Sequence, residues 1–164
     1  MLNRRYVLWG GAGAMALFAG DRILRPVAPQ AAERFAVTHT DAEWRSLLTP
    51  AAYQVLRQQG TEHAFSSPLD HETRPGLFAC AGCDQSLFSS KTKYDSHTGW
   101  PSFWQPLEGA VGTAEDRFLA MKRTEVHCSR CGGHLGHVFD DGPRPTGLRY
   151  CMNGVALTFR PQTV

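Results

Sequence analysis

The residues with the clearest chemical potential are five cysteines, which their spacing divides into two kinds. Four of them form two Cys-x-x-Cys pairs, Cys80 with Cys83 and Cys128 with Cys131. Two intervening residues allow a tight turn that points both sulfurs of a pair at one place. Two such turns complete a tetrahedron of thiolates, the usual coordination of a structural Zn²⁺. The alternatives are two redox-active pairs or two disulfides, although a redox Cys-x-x-Cys usually occurs singly, beside a βαβ pattern that this sequence lacks.

The two cysteine pairs are far apart in the chain, with 44 residues between Cys83 and Cys128. A compact zinc ribbon has only about 15–20 residues there. We therefore expect the metal to join two distant hairpins of one domain. Because four cysteine ligands leave no position open for water, the ion is expected to stabilise the fold and to take no part in chemistry.

The fifth cysteine, Cys151, has no partner in this scheme. Arg149 and Asn153 lie two residues before and two residues after it. If this segment is a strand, all three side chains point to the same face. A cation and an amide beside a thiol favour a reactive thiolate. The alternative is an apolar cysteine buried in the core.

A second polar cluster lies between residues 133 and 141, where glycines surround His134 and His137 and two aspartates follow. A single histidine is more often structural than catalytic. Two histidines within four residues, beside acidic groups, can supply protons near neutral pH.

A third cluster, residues 99–104, contains three aromatic side chains, among them Trp100 and Phe103. Such rings either pack in the core or line a binding pocket. Together with the other two clusters, they predict an apolar, aromatic pocket that contains a nucleophilic sulfur and histidine acids.

The elements that must position these residues begin with two short helices. Thr40 and Glu43 have the spacing of a capping box. A second helix is predicted to start with Thr49 as its cap and to stop at Gly60. The side chains expected to face the core from these helices are Trp44, Leu47, Leu48, Tyr53 and Leu56.

From Gly76 onward, short apolar segments are interrupted by glycine, proline, aspartate and serine, which is typical of short strands. No alternation of strands and helices is seen, which argues against a parallel sheet. We expect an antiparallel, mainly β domain with helices at its N-terminal end. The candidate strands are 77–79, 86–88, 117–121, 137–139 and 155–159.

The first 32 residues have the character of an export leader followed by a linker. Arg4 and Arg5 precede a 14-residue stretch rich in glycine and alanine, which is shorter than the roughly 18 residues of a membrane span. The adjacent arginines resemble a twin-arginine signal, which predicts export to the periplasm and a mature domain over residues 33–164. An uncut leader would tether the protein to the inner membrane. A helix packed on the domain is the remaining alternative.

Composition and charge restrict the classes of function. The 164 residues are 42% hydrophobic and 20% charged, as expected for one folded domain. The net charge is +2, but the first 32 residues hold four arginines against one aspartate, which leaves −1 for the rest. This balance argues against a zinc ribbon that binds nucleic acid. A zinc-containing binding module without catalysis remains an alternative.

Several of these segments, in this order, resemble the signature blocks of the type B methionine sulfoxide reductases. Because the blocks are numerous and spread from about residue 40 to residue 159, the similarity covers nearly the whole predicted mature domain. The segments that carry it are residues 80–83, 94–103, 128–131, 133–139 and 149–153.

The resemblance implies two antiparallel sheets that form a partly closed barrel, with short N-terminal helices and a structural zinc site away from the catalytic centre. It also implies reduction of the R epimer of methionine sulfoxide, mainly in proteins, through a sulfenic acid on Cys151. Trp100 corresponds to the ring that holds the substrate methyl group, and Phe103 is expected to bind substrate beside it. The positions that the resemblance assigns to the active site are Cys151, His134, His137, Arg149 and Asn153.

One position departs from many members of this family. Thr98 stands where they carry a second cysteine that forms a disulfide with the catalytic one. We therefore expect an external thiol, such as a thioredoxin-like protein, to reduce Cys151 directly. The expected partners are this reductant and oxidised proteins, and the protein itself is expected to be a monomer.

Overall fold

The computed structural model describes residues 35–118 and 121–162. The predicted leader and linker, residues 1–32, lie outside the described residues. Within the described part, no helix is long and apolar enough to cross a membrane.

The two predicted helices are present as α1, Asp41–Leu47, and α2, Pro50–Gln58. The capping box of α1 is confirmed. The Thr40 hydroxyl accepts a hydrogen bond of 3.3 Å from the Glu43 amide, and the Glu43 carboxylate accepts one of 2.7 Å from the Thr40 amide. The cap of α2 is confirmed in the same way, since the Thr49 hydroxyl accepts the amide of Ala52.

Two details of the helices differ from the prediction. Leu47 was expected in the core, but it is 59% exposed. Because α1 ends at Leu47, the chain becomes extended at Leu48, which turns into the core in its place. The second helix ends at Gln58, two residues before the predicted stop at Gly60, because Gln59 adopts the left-handed conformation.

The rest of the domain is β structure, in two antiparallel sheets. The smaller sheet has the order β2-β1-β9 and the larger one β3-β4-β8-β7-β6-β5. Among the described strands, no ladder joins the two sheets, so the barrel stays open. The predicted mainly β architecture is confirmed. The strands are β1 Gly76–Cys80, β2 Ser86–Ser89, β3 Lys93–Tyr94, β4 Ser102–Phe103, β5 Val111–Phe118, β6 Met121–Cys128, β7 His134–Phe139, β8 Arg149–Met152 and β9 Leu157–Pro161.

The prediction of a single strand over residues 117–121 is wrong. Strand β5 ends at Phe118 and β6 begins at Met121, and these two residues are paired in a long antiparallel hairpin. The sequence pattern missed this hairpin because its strands are mostly polar, so that they lack apolar alternation.

The core lies between the two sheets and is filled by aromatic rings. Phe78 on β1 meets Phe103 on β4 edge to face, with ring centroids 4.9 Å apart. Phe103 also stacks on Phe88 of β2 at 4.3 Å. The helices add buried Trp44 and Leu56 to the same cluster. This packing fixes the larger sheet, which carries the candidate site.

Candidate active site and metal centre

The four paired cysteines come together in one cluster, as the sequence predicts. Their sulfur atoms all lie within 4.8 Å of one another. Cys80 Sγ is 3.7 Å from Cys131 Sγ, and Cys83 Sγ is 3.5 Å from Cys128 Sγ. A tetrahedral Zn²⁺ with Zn–S bonds of about 2.3 Å needs sulfurs about 3.8 Å apart. The donor set therefore fits a zinc ion.

Two turns from different sheets build this cluster. The turn between β1 and β2 supplies Cys80 and Cys83, and the turn between β6 and β7 supplies Cys128 and Cys131. The backbone of the second turn is closed by a hydrogen bond from the Gly132 amide to the Cys128 carbonyl, 2.9 Å long. A metal here would join the two sheets at one end.

The charge state of the cluster also suits a cation. The interactions among these thiols lower the pKa of Cys128 and raise the pKa values of Cys80 and Cys131. Four thiols this close cannot all ionise unless a cation offsets their mutual repulsion. A divalent ion is therefore needed to deprotonate the whole set.

Cys151 lies on β8, between strands β4 and β7. It is paired with Ser102 on one side and with His137 on the other. Directly opposed residues of antiparallel strands point to the same face of a sheet. The sheet therefore sets the thiol in a row between a hydroxyl group and an imidazole.

Arg149 lies two residues before Cys151 on the same strand, so its side chain shares the face of the thiol. Its positive charge lowers the pKa of Cys151, and its guanidinium donates two hydrogen bonds of 2.8 Å to the carboxylate of Asp141. It also lies 4.4 Å from the ring centroid of Phe139. The Arg149 guanidinium is therefore held by the Asp141 carboxylate and the Phe139 ring.

The sequence suggested a thiolate stabilised by its neighbours, and the structure modifies that expectation. Burial raises the pKa of the Cys151 thiol, while the Arg149 charge and a hydrogen bond with Thr98 lower it. Burial has the larger effect, because the thiol is mostly shielded from water. The net effect is a raised pKa, and Arg149 and Thr98 limit the cost of ionising the thiol.

A chain of hydroxyl groups joins Thr98 to Ser102, the residue that is paired with Cys151 on β4. The Thr98 hydroxyl is 2.8 Å from that of Ser96, which is 2.7 Å from that of Ser102. The Ser102 hydroxyl can also donate to the carbonyl of Trp100 at 3.0 Å. Because each hydroxyl both donates and accepts, the chain can orient its donors toward Cys151 or away from it.

A bulge in β7 brings the two predicted histidines together. Val126 pairs with Gly136 and His127 pairs with His134, so Leu135 is an extra residue without a partner on β6. In a regular strand, residues three apart point to opposite faces. The bulge removes this alternation, and the rings of His134 and His137 lie 5.3 Å apart.

Close packing of β7 on β8 depends on Gly136. A Cβ atom at this position would lie 2.1 Å from the carbonyl oxygen of Cys151. Glycine is therefore required between the histidines for His137 to lie opposite Cys151.

Each histidine is held by a carboxylate from the neighbouring hairpin. His134 Nδ1 is 2.7 Å from Glu125 Oε1, and His137 Nε2 is 2.8 Å from Asp116 Oδ2. These bonds lower the pKa of both carboxyl groups. Burial lowers the pKa of His137. Among the described residues, the other ring nitrogen of His134 is buried without a hydrogen-bond partner.

The two histidines line a cleft of about 390 Å³. Neither Cys151 nor Trp100 belongs to its lining, so His137 is the link between the cleft and the thiol. The described residues that line the cleft are Gln58, Gln59, Thr61, Asp116, Arg123, Glu125, His134 and His137.

Glu62 organises the loops around the site, and sequence reasoning missed it. Its carboxylate accepts the amides of Gly154 and Val155 at 2.6 and 3.0 Å. Its carbonyl accepts the indole N–H of Trp100 at 3.3 Å. A single glutamate in an irregular segment gives no sequence signal for this role, because its contacts are about 40 and 90 residues away in the chain.

Asn153 lies just beyond the end of β8 and takes part in the same network. Its side-chain N–H group donates to the Leu135 carbonyl at 3.0 Å, and its side-chain oxygen accepts the Glu62 amide at 2.9 Å. These contacts position the loops beside Cys151. Its predicted place among the catalytic residues stays a prediction.

Phe103 is not brought to this site. Its side chain is fully buried between the sheets, stacked on Phe88. Because it follows Ser102 on β4, the strand alternation points it to the opposite face from Ser102 and Cys151. Trp100, by contrast, lies between Thr98, which lowers the pKa of Cys151, and Pro101, whose carbonyl accepts a hydrogen bond of 2.9 Å from the Met152 amide.

Comparison with known proteins identifies the family. Residues 48–161 match the model of the SelR domain. The peptide methionine sulfoxide reductase MsrB of Agrobacterium fabrum is 52% identical over 126 residues, which cover 76% of this chain and 93% of the relative. The protein of the same name from Leptospira interrogans is 52% identical over 129 residues, which cover 78% of this chain and 98% of the relative. This chain belongs to the SelR family, the type B methionine sulfoxide reductases.

Proposed function

We propose that this protein is a thiol-dependent peptide-methionine (R)-S-oxide reductase, which returns the R epimer of methionine sulfoxide in oxidised proteins to methionine. The observation that carries the proposal is the setting of Cys151. Its strand pairs it with Ser102 on one side and His137 on the other, and the charge of Arg149 on the same face lowers its pKa. A binding module has no need of such a thiol.

In the first step, the Cys151 thiolate attacks the sulfur of the sulfoxide and forms a sulfur–sulfur bond, while the oxygen takes up a proton. The sulfur–oxygen bond of the substrate and the new sulfur–sulfur bond then break as the protonated oxygen passes to Cys151. Cys151 becomes a sulfenic acid, and methionine leaves. Two electrons move from the cysteine sulfur to the substrate sulfur.

Protonation of the oxygen contributes more to this step than ionisation of the thiol. Lowering a thiol pKa from about 8.5 to about 6.5 increases the thiolate population at pH 7 roughly 25-fold, but the thiolate loses close to tenfold in nucleophilicity. A general acid typically contributes about 10²- to 10⁴-fold. His134 or His137, directly or through water, is the proposed acid.

The substrate methyl group packs on Trp100 in this proposal. Burial of one methyl group contributes only about 1 kcal/mol. Discrimination against reduced methionine must therefore also come from hydrogen bonds to the sulfoxide oxygen.

An external thiol completes the cycle. It attacks the sulfenic acid of Cys151, which gives a mixed disulfide and water. A second thiol then releases Cys151 and leaves with the first as a disulfide. Thr98 occupies the position of a resolving cysteine, and the remaining four cysteines lie in the metal cluster. We propose a thioredoxin-like protein or a small thiol as the donor.

The four clustered cysteines hold a structural Zn²⁺ in this proposal. With four sulfur ligands, the ion offers no open position to substrate or water, so it stabilises the junction of the two sheets.

Residues 1–32 are proposed to direct export to the periplasm by the twin-arginine route. Fusion of these residues to a reporter that requires this route, with Arg4→Lys/Arg5→Lys as the matched control, tests the proposal.

The function is tested with a methionine sulfoxide peptide in its two separated epimers, with dithiothreitol as reductant. We expect the wild-type protein to consume the R epimer and leave the S epimer. The Cys151→Ser variant is expected to consume neither while it keeps the fold of the wild type. Consumption of both epimers, or of neither, by the wild type contradicts the proposal.

A further inference from the structure

Phe65 is a large apolar side chain that the fold leaves in solvent. It is 66% exposed, more than any other exposed large apolar residue of the described chain, the others being Leu47 and Leu77. Its backbone is bound to Gly99, the residue before Trp100. This exposure is therefore informative, because Trp100 is the proposed substrate contact.

The loop that carries Phe65 is fastened to the Trp100 segment at two points. The Phe65 amide donates to the Gly99 carbonyl at 2.7 Å. The indole of Trp100 donates to the Glu62 carbonyl at 3.3 Å. Because the Glu62 carboxylate is itself bound to the amides of Gly154 and Val155, this loop is also fixed to the segment that follows Cys151.

The backbone at Phe65 is in an unfavourable conformation. Its φ is +63°, a left-handed value that is uncommon for a bulky side chain. Gly99, with φ +86°, allows the approach, since a Cβ there would lie 2.7 Å from the Phe65 nitrogen and 2.8 Å from its ring. Such strain persists only where the surroundings fix the conformation, and it is concentrated at functional sites.

We propose that Phe65 is a specificity-determining residue, whose ring binds an apolar side chain next to the methionine sulfoxide in the same peptide. This inference rests on the proposed function. A side chain on a backbone that is already held loses less conformational entropy when a ligand packs on it. Neighbouring residues of an extended peptide are about 3.4 Å apart. A substrate side chain one or two positions from the methionine sulfoxide therefore extends past the Trp100 segment.

The test compares two five-residue peptides that carry R-methionine sulfoxide at the centre, one flanked by leucines and one by serines. For the wild type we expect a lower KM with the leucine peptide. Phe65→Ala is expected to raise that KM about fivefold, the effect of losing part of the burial of a leucine side chain. Its kcat, and its KM for the serine peptide, are expected to stay within about twofold of the wild type.

Two variants make the result specific. Phe65→Leu keeps an apolar side chain and is expected to retain most of the preference. Leu47→Ala removes another exposed apolar side chain, at the end of α1, and is expected to change neither KM. Thermal unfolding of each variant shows whether the fold is kept.

The possible outcomes separate this inference from the proposed function. An active wild type in which Phe65→Ala changes both peptides equally, or neither, overturns the inference alone. A change in the KM for the thiol reductant with no change in peptide preference also overturns it, since the ring then contacts the reductant. A wild type that reduces no sulfoxide overturns the proposed function and this inference with it.

Discussion

His137 lies directly opposite Cys151 on the antiparallel pair of strands β7 and β8. On its other side, the same imidazole is bound to Asp116 from the neighbouring hairpin. This places a group that can carry a proton between an acid and the sulfur, on one face of the sheet. The arrangement gives the proposed reaction a specific candidate acid.

We therefore predict that His137→Gln slows the chemical step by about 10²-fold or more, since general acid catalysis typically contributes this much. His134→Gln is expected to act in the same direction. The measurement is the single-turnover rate of sulfoxide reduction, which excludes effects on the reductant. His71→Gln, a change at an exposed histidine, is the control and should keep the wild-type rate. Losses of less than about threefold in both variants would show that neither histidine is the acid.

A second prediction concerns the charges around Cys151. Arg149 lowers the pKa of this thiol and Asp141 raises it. Arg149→Gln is therefore expected to raise the pKa, so that less thiolate is present at pH 7 and alkylation slows. Asp141→Asn is expected to do the opposite. The rate of alkylation of Cys151 by iodoacetamide, measured against pH, gives both shifts, and shifts of the same sign would contradict this account.

The hydroxyl group of Thr98 is expected to matter in the same titration. Thr98→Val removes a hydrogen-bond donor to the sulfur and keeps the shape of the side chain, so the pKa of Cys151 should rise. Thr98→Ser keeps the hydroxyl and should retain the wild-type value. If the two variants titrate alike, the hydrogen bond from Thr98 has no effect on the thiol.

The metal cluster is expected to be essential for stability. Cys128→Ser, or removal of the ion with a strong chelator, should abolish cooperative thermal unfolding, because the binding energy of a structural zinc contributes directly to folding. The Cys151→Ser variant is the matched control, since it changes a cysteine outside the cluster. The zinc content of each variant and its thermal unfolding, followed by circular dichroism, measure this effect. A Cys128→Ser protein that melts cooperatively at the wild-type temperature would exclude a structural role.

Much of this site could be predicted because its residues are marked by spacing. The two Cys-x-x-Cys pairs predicted a cluster that the structure contains, and Thr40 with Glu43 predicted a helix start that is present. Each of these patterns constrains a single turn of the chain, so rules for short sequence segments were sufficient to recognise it. A metal that needs four sulfur ligands then predicts that the two cysteine turns meet.

Other features depend on distant contacts and left no local mark. The contacts of Glu62 span the sequence, so nothing near it indicates that it fixes Trp100 and the segment after Cys151. The bulge at Leu135 depends on how β7 pairs with β6. Phe103 was expected beside the substrate because aromatic residues mark pockets and cores alike, and only the strand alternation assigns its ring to the core.

The most direct measurement of the central claim is a single turnover without added thiol. The zinc-loaded wild-type protein is mixed with the R sulfoxide of a peptide, and the products are analysed by mass spectrometry. We predict one methionine formed per protein, and one oxygen atom on Cys151 as sulfenic acid, with no mass change on the four clustered cysteines. A disulfide between Cys151 and a clustered cysteine, or full methionine formation by Cys151→Ser, would contradict the assignment of the chemistry to this one sulfur.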